Sequence, residues 1–179
     1  MSRDVTVRPA TAADFDAIAR ITADAYLRAG YFDSAEHPYV RKILQVAERA
    51  AVAPILVAER DGAVIGSVTL AVAGDEWADI ADAGELEFRL LVVDPAVQRS
   101  GAGRAMVEAI LDRARGMAGI DAVSLTTGDE WHGAHALYRK LGFSRVPERD
   151  WPIPETGAML RVYRMAVQPP RARPAGQDR

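Results

Sequence analysis

The sequence predicts a mixed α/β fold, a central sheet of parallel and antiparallel strands with helices on both faces. Three observations predict it. Strand-like and helical periods follow one another in the order β-α-α-β-β-β-α-β-α-β-β. Asp61-Gly62, set between apolar runs, is the sequence of a two-residue hairpin turn, so its flanking strands pair antiparallel. The helix after Gly101 joins two strand-like segments, and such a crossover returns the chain parallel.

Residues 5–8 alternate as a short strand, and Thr11 with Asp14 reads as a capping box at the head of a helix. Phe15, Ile18, Ala19, Thr22 and Tyr26 recur at helical spacing up to Gly30. Pro38 suits the first turn of a second helix with Val40, Ile43, Leu44, Ala47 and Ala51 on its inner face. Residues 55–60 and 63–72 are the hairpin strands, and 73–84 is an acidic, glycine-flanked loop. Residues 86–93 are nearly continuous in apolar side chains toward their end, the mark of a central buried strand, which Pro95 closes. Ala102, Ala105, Met106, Ala109, Ile110 and Ala114 form an amphipathic helix. A strand over 123–127 and a helix over 133–141 follow, with Gly142 in the C′ position. Strands over 143–146 and 159–167 complete a domain of residues 1–167. Residues 168–179, rich in Pro, Arg and Gly without apolar periodicity, read as a disordered tail.

Composition sets bounds on function. An apolar fraction of 49% and a charged fraction of 26% are those of an ordinary globular protein, and 179 residues can bury one core. A net charge of -3 argues against a nucleic-acid binder working through a basic face. The chain has no cysteine, which excludes disulfides, thiolate zinc sites and a cysteine nucleophile. No signal-like segment opens the chain and no run is long enough to span a bilayer, so the cytoplasm is the expected compartment and no membrane partner is expected.

The segment Leu91-Val92-Val93-Asp94-Pro95-Ala96-Val97-Gln98-Arg99-Ser100-Gly101-Ala102-Gly103-Arg104 runs from an apolar strand through a glycine turn into a helix. Such a turn presents free backbone N–H groups at the positive end of the helix dipole, a site for phosphate. A nucleotide loop of the Walker type would need Gly-Lys-Ser/Thr, which is lacking. A dinucleotide fingerprint would need a third small residue where Met106 stands. A glycine turn that merely joins strand to helix is the plainer alternative.

The wider context resembles one family. Gln98-Arg99-Ser100-Gly101-Ala102-Gly103 is similar to the Gln/Arg-x-x-Gly-x-Gly/Ala signature of the GCN5-related N-acetyltransferase (GNAT) superfamily. The preceding Leu-Val-Val-Asp-Pro is similar to its acetyl-CoA-binding strand. Leu137-Tyr138-Arg139-Lys140-Leu141-Gly142-Phe143 resembles its Leu-Tyr-x-Lys-Leu-Gly-Phe segment, in the right order downstream. The resemblance implies a mostly antiparallel, twisted mixed sheet, with acetyl-CoA as cosubstrate and no metal. In the family, a bulge and a splay expose backbone groups on which pantetheine binds like an added strand. Here those groups belong to Leu91, Val92 and Val93. The pyrophosphate would face the amides of Gln98, Arg99, Ser100, Gly101, Ala102, Gly103 and Arg104, with the glycines allowing close approach and the arginines adding charge. Ordinary solvated arginines are the plainer reading of Arg99 and Arg104.

Acetyl transfer to an amine needs a base for the ammonium proton and an acid for the leaving thiolate. Tyr138 matches the family tyrosine placed near the thioester sulfur and often assigned as the acid. Its plainer reading is a helix tyrosine packed on the core. Glu87 stands at the same offset before Gly101 as the general-base glutamate of histone-acetylating members, with Glu85 on the same face as a backup. A solvent-facing glutamate is the alternative. Trp131 occupies a position where many members have asparagine, which puts that cofactor contact in doubt and lets the indole shape the acceptor pocket. His132 and His135, beside Asp129 and Glu130, are too loosely spaced to specify a metal site.

Tyr31, Phe32, Trp77 and Trp151, with Trp131, are the candidate acceptor-binding residues, on loops over 30–37, 73–84 and 148–154 that also carry Asp75, Glu76, Asp79 and Asp82. Aromatic faces and carboxylates suit a cationic, partly apolar amine, although acidic loops are usually just solvated. The expected function is N-acetyl transfer from acetyl-CoA to a small-molecule or peptide primary amine, by direct attack in a ternary complex. A non-catalytic acyl-CoA sensor on the same fold is the alternative, and O-acylation or a longer acyl donor also stays open. Members of the family often dimerise through edge strands or the last hairpin, so a homodimer is one open expectation.

Overall fold

A computed structural model describes residues 4–30, 32, 34–97, 99–153 and 158–167. The strands are β1 (Thr6–Pro9), β2 (Ile55–Arg60), β3 (Ala63–Val72), β4 (Glu85–Val93), β5 (Ala122–Gly128), β6 (Ser144–Arg145), β7 (Trp151–Pro152) and β8 (Met159–Ala166). The helices are α1 (Phe15–Arg28), α2 (Pro38–Leu44), α3 (Val46–Val52), α4 (Ala102–Gly116) and α5 (His132–Lys140). The sheet runs in the order β1-β2-β3-β4-β5-β8-β6, with β7 also on β8. Every pairing is antiparallel except β4 with β5, the pair joined by the α4 crossover.

Local chemistry explains most of these elements. Asp61 and Gly62 both adopt positive φ, 52° and 78°, as a type I′ turn requires, and β2 and β3 fold back on them. Asp14 accepts hydrogen bonds from the Thr11 N–H at 2.7 Å and hydroxyl at 3.0 Å, which caps the turn into α1. Arg8 bridges Asp14 and Glu59, tying that cap to β2.

The two faces of the sheet carry separate cores. Leu56, Leu70, Leu86, Phe88 and Leu125 pack with Met106, Val107, Ile110 and Leu111 of α4 and Tyr138 of α5. On the opposite face, Ile55 and Val57 meet Ile18 and Val46, while Ile43, Ala53, Ala71, Trp77 and Leu90 form a neighbouring cluster. Each fully buried aliphatic side chain contributes about 1.5–3 kcal/mol.

Three departures from expectation matter. The helix expected to run past Pro38 is two helices broken at Gln45, whose ψ of 70° interrupts the ladder. The break resets the helical phase, so Val46 and Arg49 turn inward while Ala47 and Ala51 are exposed. Trp151 and Pro152 add a short strand on β8 that sequence periodicity is too brief to reveal. Trp77, expected on an open loop, is only 4% exposed and belongs to the core. The expected tail over 168–179 lies outside the described residues.

Candidate active site

β4 sets the geometry. Its alternation sends Leu86 and Phe88 under α4 and Glu85, Glu87 and Arg89 to the α1–α3 face. At Leu90 the alternation breaks. Thr69 pairs with Arg89 but Ser67 with Val92, so one residue of β3 faces two of β4, and Leu90 takes a φ of 51°. The bulge turns Leu90 into the Trp77 cluster and returns Leu91 to the α4 side. Gly66 makes room for it, since a Cβ there would stand 2.8 Å from the Val92 carbonyl oxygen.

Just before the bulge, β4 and β5 part. Their parallel register ends at Phe88 opposite Leu125, while β5 continues to Gly128 along β8. Val92 and Val93 pair with Ser67 and Gly66 of β3 on one side, Leu91 lies in the bulge, and no strand of the described residues pairs with their other edge. An extended chain can add there through main-chain hydrogen bonds.

The turn into α4 borders this opening. Asp94 accepts from the Ala96 N–H at 2.9 Å and pairs with Arg20 of α1 at 2.8 Å, and these contacts hold its carboxyl below the usual range. Arg99 and Gly101 adopt φ of 64° and 86°. A Cβ on Gly101 would meet open space, so glycine is required there by its left-handed backbone rather than by crowding. The Ser100 hydroxyl lies 3.4 Å from the Ala102 N–H. The other first-turn amides of the fifteen-residue α4 have no intrahelical acceptor, and the arrangement fits a phosphate group. Gly103 differs from Gly101. The space its Cβ would fill is bounded by Leu137 at 3.4 Å and by Leu91 and Val93 at 3.9 Å, so its small size seats α4 against α5 and β4. Arg104 is paired with Glu108 at 2.8 Å, and exposed Arg99 has no partner among the described residues. Gln98 lies outside the described residues.

Leu137 brings its neighbour Tyr138 to the same opening. Tyr138 is 4% exposed and packs on Phe88, Phe143 and Tyr163, with ring centroids 5.8–5.9 Å away. Burial pushes its phenol well above the ordinary value, so it stays protonated at neutral pH. Its hydroxyl has no hydrogen-bond partner among the described residues.

Glu87 is fully buried. Its Oε2 accepts from the main-chain N–H groups of Asp79, Ile80 and Ala81 at 3.0, 2.9 and 3.0 Å. Its Oε1 has no hydrogen bond, and the nearest cation is Arg89 Nε at 3.8 Å. Desolvation raises its pKa, and the amide hydrogen bonds only partly oppose that. Glu85 is committed elsewhere, with Arg149 and Arg164 on its two oxygens at 2.6–3.0 Å. Burial pushes Glu85 up, but those guanidinium hydrogen bonds outweigh it and hold the carboxyl at about 2. Glu87 and Tyr138 therefore flank β4 from opposite faces, near the point beyond Phe88 where β4 and β5 part.

On the Glu87 face an aromatic group gathers. Phe32 stacks near Tyr26 and Tyr39 at 6.3 and 5.5 Å, and Tyr26 meets Trp131 edge-on at 6.2 Å. Trp131 stands at the head of α5. Trp77 lies against the same group through Tyr26 and Tyr39, ringed by Lys42, Arg49 and Arg89 at 5.0–5.8 Å. Trp151 makes no ring contact among the described residues, and Tyr31 lies outside them. Sequence reading missed Tyr26, Tyr39, Arg49 and Arg89. The one available signal was Arg49, a charged residue three positions after apolar Val46. Three of the four loop carboxylates already have partners, and Glu76 is exposed. Asp75 accepts from the Val72 N–H, Asp79 pairs with Arg89 at 2.5 Å and Asp82 lies 3.4 Å from Arg149.

No cluster of three or more metal-ligating side chains occurs among the described residues. His135 uses both ring nitrogens internally, with Nδ1 2.8 Å from the Tyr163 hydroxyl and Nε2 3.0 Å from the Gly128 carbonyl. The carbonyl can only accept, so Nε2 carries the proton.

Comparison with known proteins agrees with this geometry. The sequence model of the acetyltransferase (GNAT) family matches residues 16–143. A mycothiol acetyltransferase of Beutenbergia cavernae is 39% identical over 88 residues, which are 48% of this chain and 26% of that protein. The N-alpha-acetyltransferase RimI of Mycobacterium tuberculosis is 37% identical over 82 residues, 46% of this chain and 43% of RimI. The match thus spans less than half the length of either relative. Among solved structures, Salmonella typhimurium yncA, determined with its cofactor acetyl-CoA, superposes with a TM-score of 0.67 at 24% identity over 97% of this chain and 99% of that one. The ribosomal-protein-S18-alanine N-acetyltransferase of Escherichia coli gives 0.66 at 18% identity over 98% of each chain. These two likenesses establish the fold. The family match covers most of the chain, and the chain belongs to the GNAT acetyltransferase family.

Proposed function

We propose that the protein transfers the acetyl group of acetyl-CoA to a primary amine by direct attack, with both substrates bound together. The observation that carries this is the parting of β4 and β5 beyond Phe88, bounded by the Leu90 bulge, the head of α4 and the buried Tyr138. Leu91, Val92 and Val93 hold the pantetheine along their open edge. The first-turn amides of α4 hold the pyrophosphate, with Arg99 adding charge. Acetyl-CoA supplies the activated acyl group.

Glu87 takes a proton from the acceptor ammonium, directly or through water, so that the nitrogen lone pair can attack the carbonyl carbon. The new C–N bond forms as the C–S bond breaks; Tyr138 gives its proton to the departing sulfur, and the second N–H proton lost by the new amide returns to the Tyr138 oxygen. A neutral buried phenol can make that donation, and the unpartnered Glu87 Oε1 can accept. The three amides on Oε2 fix the carboxylate while leaving the other oxygen to react. No helix of the described residues is long and apolar enough to cross a membrane, and the proposal places this chemistry in the cytoplasm.

The test is free-CoA release, with mass detection of the product, from acetyl-CoA and a panel of small amines, amino acids and peptides with free N-termini. The reading predicts release that depends on the amine. Saturable acetyl-CoA binding with no acetylated product from any amine would make the chain an acyl-CoA-binding module instead.

A further inference from the structure

Arg49 is a buried charge with no carboxylate beside it among the described residues. Its side chain is among the largest fully buried ones, 1% exposed, and no carboxylate of the described residues lies within 4 Å of its guanidinium. It makes one hydrogen bond, to the Ile43 carbonyl at the end of α2, and its Nε is buried without a partner. Burial lowers its pKa to about 10, which leaves it charged at neutral pH. Buried charges are ordinarily paired, because desolvation is otherwise unrecovered.

Its surroundings deepen the imbalance. Arg49, Arg89 and the exposed Lys42 all lie over the Trp77 ring, at 5.6, 5.8 and 5.0 Å. Among the described residues two carboxylates, Asp79 and Glu87, stand against these three cations, and both pair with Arg89, at 2.5 and 3.8 Å. Among the described residues one positive charge is therefore in excess, and Arg49 is the buried cation without a carboxylate within 4 Å. Arg49 lies over Trp77, which packs with Tyr26 and Tyr39, so the cation borders the aromatic wall that continues to Trp131.

Taking the acetyltransferase reading as the basis, we infer that the acceptor is a small amine bearing its own carboxylate, an amino acid or a close relative, with the carboxylate held by Arg49 and Lys42. The guanidinium fork matches a carboxylate, and a monoanion balances the single excess charge. Arg89 touches both ends of the site, lying 3.8 Å from Glu87 and sharing the Trp77 ring with Arg49, so amine and carboxylate sit a few bonds apart in one small molecule. The wall of Tyr26, Phe32 and Tyr39 favours an apolar or aromatic side chain between them.

Two measurements test this. The first offers the common amino acids, their carboxamides and the corresponding decarboxylated amines with acetyl-CoA to the wild type, Arg49→Met and Arg49→Lys. At least one free acid should exceed its amide and amine at least tenfold in kcat/KM. Arg49→Met should erase that preference by raising KM rather than lowering kcat, and Arg49→Lys should keep part of it. Equal use of acid, amide and amine, or a preference that survives Arg49→Met, overturns the inference. The second titrates N-acetyl amino acids and their methylamides into the CoA-bound protein by calorimetry. The acids should bind at least tenfold tighter than the amides, and Arg49→Met should remove the difference. Acids bound no better than amides overturn the inference whatever the activity. A retained acid preference in binding, with no acetyl transfer to any amine, sinks only the transferase reading.

Discussion

Gly66 on β3 lies so close to Val92 on β4 that a Cβ on the glycine would stand 2.8 Å from the Val92 carbonyl oxygen. It would also approach the Met106 methyl at 3.0 Å. The contact sits at the bulge that frees the edge of β4, so packing and site geometry meet at one residue. Gly66→Ala should cost about 1–3 kcal/mol as the backbone and α4 yield to the added methyl. It should also weaken acetyl-CoA binding, because relief requires β4 to move. Thermal unfolding and calorimetric titration check the two effects. An unchanged Tm with unchanged affinity would mean that the bulge does not depend on this contact.

Glu85 is an electrostatic anchor, and its behaviour in acid should say so. Burial alone would raise its carboxyl, yet Arg149 and Arg164 hold it at about 2, against an ordinary 4.5. A depressed folded-state value means that the unfolded chain binds the proton more readily. The stabilisation is therefore complete above about pH 4.5 and is lost as pH falls toward 2. Glu85→Gln should cost up to about 3 kcal/mol at pH 7, the scale of breaking a buried pair whose partners are partly exposed. The gap to wild type should narrow below pH 4.5. Denaturant curves at pH 7 and pH 3 measure it, and a gap of constant size would contradict the assignment.

Much of this architecture is legible locally. The hairpin at Asp61-Gly62, the amphipathic α4 and the left-handed Gly142 with its φ of 99° follow from short-range backbone chemistry. The glycine turn that opens α4 was readable for the same reason, because Gly101 needs a left-handed turn and the motif is contiguous. The packing of the aromatic group on the other face of β4 was not. The break at Gln45 changes which residues of 46–53 face inward, and only tertiary packing decides that. The bulge at Leu90 and the burial of Trp77 arise from strand pairing and from cations delivered by α2, α3 and β4. Acidic residues of the 73–84 loop suggested a cationic ligand, but the guanidinium partners of Asp79 and Asp82 come from elsewhere in the fold.

Glu87 should govern the acidic limb of the pH–rate profile. Desolvation raises its pKa, so the fraction in the basic, proton-accepting form grows with pH through a midpoint above the ordinary 4.5. kcat/KM should rise across that range in the wild type. Glu87→Gln should lower turnover by about 10²–10⁴-fold and remove the limb. Kinetics from pH 4.5 to 9 on both proteins provide the check. A limb that persists in the variant assigns the proton to another group.

The central claim is that Tyr138 protonates the leaving sulfur at the opening between β4 and β5. Its most direct test is Tyr138→Phe, which keeps the ring contacts to Phe88, Phe143 and Tyr163 and deletes only the hydroxyl. The measurement pairs kcat, on any amine the wild type accepts, with the acetyl-CoA dissociation constant. The account predicts a fall in kcat of about 10²-fold or more with the dissociation constant unchanged within about threefold. Unchanged turnover in Tyr138→Phe would contradict it.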